Sequence, residues 1–190
     1  MRAIPLRTPA IESGPDDALV AAAQAEPAEF AAIYERYLPR VYRYLAAKAA
    51  SPEEAADLTQ AVFLKAFGAM GAFRNGKTPF ASWLFRIARN EAIDAHRRKR
   101  PSVPWDALSG FEPAAAGSPE GEALQRESVR ELRQAVAALE PSKRDLLALR
   151  YAAGLTVAEI APLVGKSPEA AKKQLQRTLR QLKEHYREEQ

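Results

Sequence analysis

Between Thr78 and Arg100 the sequence TPFASWLFRIARNEAIDAHRRKR sets Trp83, Arg86, Arg89, Asn90 and Arg97 at spacings that suit the recognition of opened nucleic acid. The chemistry would be non-covalent. Guanidinium groups neutralise phosphates, a carboxamide donates and accepts at a base edge, and an indole offers a flat face for stacking. A helix is needed to align these side chains. Thr78 suits an N-cap and Pro79 the first helical position, where a missing N–H costs nothing. At about 100° per residue, Phe80, Leu84, Ile87, Ala88 and Ala95 share one arc, while Arg86, Arg89, Asn90 and Arg97 share the opposite one and Trp83 lies on the border. The same pattern fits an amphipathic core helix whose charged face is merely solvated, and this segment alone leaves both readings open.

A second constellation lies near the C-terminal end. Thr156-Val157-Ala158-Glu159 reads as a capping box leading into Ile160 and Leu163, Gly165 supplies a tight turn, and Ser167-Pro168-Glu169 caps a helix running to about Leu182. That is helix-turn-helix spacing. The last helix carries Lys172, Lys173, Gln174, Gln176, Arg177 and Arg180 on one side and Ala171, Leu175, Leu179 and Leu182 on the other. A major-groove helix needs that division, with early turns reaching base edges and flanking cations fixing phosphates. The alternative is a basic surface hairpin with no nucleic-acid role. Pro162 removes a backbone donor late in the first helix of the pair and is expected to bend or shorten it.

Composition limits the remaining possibilities. The chain has 190 residues, enough for one ordinary domain or two small ones, and Lys plus Arg number 28 against 24 for Asp plus Glu, a net charge of +4. Placement matters more than this mild excess. Acidic residues such as Glu53, Glu54 and Asp57 sit in the first half, whereas basic ones cluster at Arg97 to Arg100 and between Lys166 and Lys183. With no cysteine the chain has no disulfide, thiolate zinc site or thiol sensor, which is compatible with a reducing cytoplasm. His96 and His185 are too few for a histidine metal site, so no metal or cofactor is expected. No run has the length of a signal-peptide core or a bilayer span, and a cytoplasmic protein without membrane insertion is expected. No carboxylate, histidine or nucleophile constellation supports an enzyme.

Helix signals recur and no period-two alternation is bounded by hairpin turns, so the fold is expected to be all-α. After a flexible start over residues 1–15, Asp16 to Ala25 reads as a short helix. Pro27 opens a longer one whose core stripe is Phe30, Ile33, Tyr34, Tyr37, Val41, Tyr42 and Leu45. Ser51-Pro52-Glu53-Glu54 is a capping box that starts the next, where Leu58, Val62 and Phe63 sit beside Asp57, Gln60 and Lys65. Gly71 to Lys77 is a glycine-bounded basic loop. From Pro101 to Gly121 the chain turns rich in Pro, Gly, Ala and Ser, a linker in which Trp105, Leu108 and Phe111 could dock on a partner or pack loosely on either domain. Helices are then expected over Glu120 to Leu139 and Pro141 to Ala153, the latter stopped by Gly154 in a left-handed cap.

Taken in order, DLTQAVFLKAF resembles region 2.2, WLFRIARNEAIDAHRRKR resembles regions 2.3 and 2.4, and LEPSKRDLLALRYAAGLTVAEIAPLVGKSPEAAKKQLQRTLRQL resembles region 4 of sigma-70 family RNA polymerase sigma factors of the extracytoplasmic function group. The resemblance implies a region 2 bundle over residues 16–100, a linker over 101–121 and a region 4 helix-turn-helix domain over 122–190. It implies a non-enzymatic promoter-specificity subunit with core RNA polymerase (β′ and β subunits), promoter DNA and an anti-sigma factor as partners. Asp57, Gln60 and Phe63 match positions that dock on the polymerase. Asn90 matches a position near the flipped-out base of the −10 element, with Trp83 either supporting that surface or packing in the core. Arg86, Arg89, Arg97, Arg98 and Arg100 would contact phosphates, and Lys172, Lys173, Gln174 and Arg177 match the helix that meets the −35 element. The family often has arginine where Gln174 stands and a β-branched residue where Ala171 stands, so the sequence preference stays open. Two other functions are consistent with parts of the chain: a sigma-like decoy that sequesters an anti-sigma factor, and a helix-turn-helix regulator acting through the second half alone.

Overall fold

A computed structural model describes residues 16–74, 76, 78–98 and 129–188, with side chains to 184 in the last stretch. Arg100, the start over 1–15, the linker over 101–121 with Trp105, Leu108 and Phe111, and the expected helical residues 120–128 lie outside the described residues. Every regular element among those described is helical.

Helix α1 (Asp16–Ala25) opens with two aspartates in its first turn, where carboxylates meet the positive end of the helix dipole. Pro27–Glu29 forms a 3₁₀ turn, and α2 (Phe30–Ala46) follows, so the second helix begins a turn later than Pro27. Its core stripe is Phe30, Ile33, Tyr37, Val41, Tyr44 and Leu45. Tyr34 and Tyr42 are instead 38% and 36% exposed. Tyr42 lies about 100° around the helix from Val41, whereas Tyr44 falls within the stripe and is fully enclosed.

Helix α3 (Pro52–Ala69) starts at Ser51, whose Oγ accepts the Glu54 N–H at 3.2 Å. The Glu54 carboxylate reaches back to the N–H of Ala50 at 2.7 Å, one residue before the cap, so the box is displaced by one position. Helix α4 (Phe80–Arg98) begins one residue after Pro79, whose carbonyl accepts the Trp83 N–H at 3.2 Å. Gln24 of α1 donates to the carbonyls of Met70 and Phe73 at 3.0 and 2.9 Å, tying the turn between α3 and α4 to the bundle.

In the second half, α5 covers 129–137 and α6 (Pro141–Leu147) runs on into a π-helical turn, Ala148–Ala152. Gly154 ends it at φ 67°, the left-handed conformation that a Cβ disfavours. Helix α7 (Val157–Ile160) carries the reciprocal capping box of Thr156 and Glu159 and gives way to a 3₁₀ turn over Ala161–Leu163 that contains Pro162, as its missing N–H requires. Gly165 turns the chain at φ 65°, and α8 (Pro168–Glu188) starts under the Ser167 hydroxyl, which accepts the Ala170 N–H at 3.2 Å, and extends beyond Leu182.

Four helices of the first half form one bundle and the later ones another, and the two halves share an uninterrupted apolar cluster from Val20 to Leu175. Region 4-like residues therefore pack directly on α2 and α4.

Candidate nucleic-acid interface

The exposed stripe of α4 is set by its opposite face. Phe80, Leu84, Phe85, Ala88 and Ala95 are buried, which leaves Arg86, Asn90, Asp94 and Arg97 along the outside at four-, four- and three-residue steps. Arg98 is exposed beside them and donates to the Asp94 carbonyl at 3.3 Å. Glu91, buried on the side toward α3, is ion-paired with Lys65. Lys65, Glu91, Asp94, Arg97 and Arg98 line an open cleft of about 370 Å³. Trp83 is half-buried, its ring 5.2 Å from Phe73 and 5.4 Å from Phe80, so its packing side is core and its other edge borders the stripe.

Arg89 departs from this arrangement. Its Nε donates to Asp145 Oδ2 of α6 at 2.8 Å, so a cation expected on the phosphate face is held by the second half of the chain. Tyr44 Oη donates to Asp145 Oδ1 at 2.8 Å, and Lys48 is ion-paired with the same oxygen. Asp145 is only 6% exposed. Burial alone would push its carboxyl up, but Lys48, Arg89 and Tyr44 outweigh that and hold it below the usual carboxylate range. Burial, and then the Asp145 charge, push the Tyr44 phenol far up, while burial lowers Lys48 against the pull of Asp145. Nearby, Arg40 stacks over Tyr37 at 5.0 Å and donates from Nε to the Ala153 carbonyl at 2.9 Å and from Nη2 to that of Gly154 at 3.4 Å. Ser82 Oγ donates to the Glu159 carbonyl at 2.7 Å. Arg40, Tyr44, Lys48 and Asp145 were not legible as a site. The available signal was a lone charge, Arg40, in a core register between Tyr37 and Tyr44.

On α3, Asp57 and Gln60 are exposed. Phe63 is not: it is 4% exposed, with ring centroids 6.5 Å from Phe30 and 4.7 Å from Tyr34, and it supports the helix from within. Leu64 and Phe67 extend the outer face instead, at 73% and 49% exposure. On α8, Lys172, Lys173 and Arg177 are exposed, whereas Gln174 is half-buried with Oε1 shielded and lacking a hydrogen-bond partner. Ala171, Leu175 and Thr178 form the buried seam, Thr178 Oγ1 donating to the Gln174 carbonyl at 3.0 Å.

Two helical domains with a helix-turn-helix in the second, each presenting cations outward, define a DNA-binding factor. Residues 33–101 match the sigma-70 region 2 family and residues 129–182 the sigma-70 region 4 family. The chain is 35% identical over 168 residues to the ECF RNA polymerase sigma factor BldN of Streptomyces coelicolor, covering 86% of this chain and 63% of BldN. It is 34% identical to the RNA polymerase sigma factor CarQ of Myxococcus xanthus, covering 82% and 87%, and 31% identical to the ECF sigma factor SigD of Mycobacterium tuberculosis, covering 80% and 74%. The chain belongs to the sigma-70 family of RNA polymerase sigma factors, in its extracytoplasmic function group. The fold is shared with CnrH, solved with the cytosolic domain of CnrY, at a TM-score of 0.65 and 20% identity over 90% of this chain and 96% of that one. It is shared too with RpoE of Bartonella quintana, solved with the anti-sigma factor NepR, at 0.61 and 22% over 84% and 97%. No helix among the described residues is long and apolar enough to cross a membrane.

Proposed function

We infer that this sigma factor acts by binding alone, in the cytoplasm. It docks on core RNA polymerase through α3, captures the opened −10 strand along α4, and reads the −35 element with α8. The observation that carries the reading is the exposed stripe of Arg86, Asn90 and Arg97 on a helix whose opposite face is buried. Cations there neutralise phosphates, and the carboxamide between them meets an extruded base, so that unstacking is offset by contacts available only to the opened strand.

Asp57 and Gln60 supply the polar part of the docking face, and Leu64 and Phe67 supply apolar area that the polymerase surface would cover. Lys172 and Lys173 hold phosphates on α8. Arg177, open to solvent, is the better-placed base reader, and Gln174 reads a base only if its shielded amide turns outward. An anti-sigma factor is the expected regulator, a reading supported by the likeness to the fold of the sigma factor solved with NepR. Runoff transcription with purified core polymerase on a genomic fragment library tests the whole reading: discrete start sites sharing two upstream elements are expected, and core-dependent transcription indistinguishable from core alone would refute it.

A further inference from the structure

The joint between the domains is built around an anion. Three donors, Tyr44 Oη and Lys48 Nζ on the α2 side and Arg89 Nε on α4, converge on the two oxygens of one carboxylate. A charged group with two acceptor oxygens is also what a nucleic-acid backbone presents at each phosphate. Arg89 adjoins Asn90 in the chain and lies one helical turn from Arg86, so a strand following the exposed stripe would pass the mouth of this pocket. We propose that Tyr44, Lys48 and Arg89 form an anion pocket on region 2 that Asp145 of region 4 fills in cis, and that a backbone phosphate of promoter DNA takes the carboxylate's place when the domains part. The inference rests on the promoter-binding reading above.

Dimensions require the parting. A compact chain of this length has a radius of gyration of about 16 Å and a breadth of roughly 40 Å. Elements centred at −35 and −10 lie about 25 base pairs apart, or roughly 85 Å at ~3.4 Å per pair. The residues between 98 and 129 can reach about 100 Å when extended, enough to let both domains engage. Separation withdraws Asp145 from Lys48 and Arg89 at the moment a polyanion arrives beside them. Apolar packing and the hydrogen bonds from Arg40 to the Ala153 and Gly154 carbonyls and from Ser82 to that of Glu159 fix the shape of the joint, and Asp145 brings the negative charge. The recognition face of α8 stays open in the closed arrangement, since Lys172, Lys173 and Arg177 are exposed, so the carboxylate competes with DNA at region 2 specifically.

The chain has no cysteine, so Glu53→Cys and Lys166→Cys, both at exposed positions and one in each half, accept a donor and an acceptor dye in the full-length protein. Otherwise wild-type protein is expected to show high energy transfer that falls as a 20-nucleotide oligothymidylate is added. Asp145→Asn is expected to start open and bind the oligonucleotide several-fold more tightly, and Arg40→Gln to do the same by loosening the other end of the joint, each with wild-type helicity by circular dichroism. Adding Lys48→Gln to Asp145→Asn should reverse the gain and lower the slope of log affinity against log salt by about 0.7, the share of one single-strand phosphate. Unchanged transfer in the wild type at saturating oligonucleotide would overturn the proposal, as would open variants with no gain in affinity. Opening by polyglutamate as effective as by oligonucleotide would also overturn it, pointing to an acidic protein as the occupant. Runoff transcription by the wild type is scored separately, so active transcription without these shifts would refute the pocket alone.

Discussion

Asn90 tests the α4 stripe most directly because it is exposed at the middle of that stripe. Asn90→Ala is expected to change stability by less than about 0.5 kcal/mol and to leave core binding intact. It should reduce promoter opening measured by permanganate footprinting at equal holoenzyme occupancy, with a premelted template recovering only part of the loss. Wild-type opening would make it an ordinary surface residue. On α8, Lys172→Ala is expected to weaken all −35 sequences alike and lower the salt slope by about one unit, while Arg177→Ala should relax specificity at one position by roughly 1–3 kcal/mol. Asp145 carries a pH dependence of definite sign. Its carboxyl lies below the usual range in the folded state, so its contribution is present above the ordinary carboxyl value and is lost as pH falls through the depressed one. Tyr44, Lys48 and Arg89 face it, and Arg144 lies beside it in sequence. The stability difference between wild type and Asp145→Asn should therefore be flat from pH 7 to 5 and shrink only below about pH 4, a trend that parallel denaturant titrations would reveal.

At the scale of the element, α3 separates a core role from a docking role on adjacent residues. Phe63→Ala removes a ring packed between α2 and α3 and should cost about 3–5 kcal/mol in urea unfolding. Leu64→Ala, at 73% exposure, should change stability by less than about 0.5 kcal/mol and yet weaken binding to core polymerase, as should alanine at both Asp57 and Gln60. Equal core affinity for Leu64→Ala in a competition assay would remove the apolar part of that face. The short helix α7 depends on its cap: Thr156 accepts the Glu159 N–H while the Glu159 carboxylate accepts that of Thr156, so Thr156→Ala should cost about 1 kcal/mol.

For the whole molecule, one apolar cluster is shared by both domains, and their unfolding is expected to be cooperative. Calorimetry of the wild type is expected to give a single transition, and Asp145→Asn to split it in two as the joint loosens. Removing one partner of a buried ion pair typically costs about 3–5 kcal/mol. Here the loss should be smaller, because Lys48 and Arg89 regain water when the domains separate. A single unshifted transition in the variant would show that apolar packing alone holds the halves together.

The sequence by itself determined the local elements and the class of protein. Capping residues at Ser51, Thr156 and Ser167, the left-handed glycines at 154 and 165, and apolar repeats at helical spacing are decided within a few residues, where backbone sterics and hydrogen bonding act. The outward cations Arg86 and Arg97 of α4 and Lys172, Lys173 and Arg177 of α8 followed from the same periodicity. Only the tertiary structure decided which residues at the borders of those arcs face what. Phe63 turned inward because α2 offers it two aromatic rings, Tyr42 turned outward while Tyr44 went in, and Arg89 met Asp145 across 56 positions of sequence. A pairing at that separation leaves no periodic trace in a single chain. Burial of Asp145 is favourable only once Tyr44, Lys48 and Arg89 have been brought around it by the packing of two domains, so the joint and its charge exist at the level of the assembled fold.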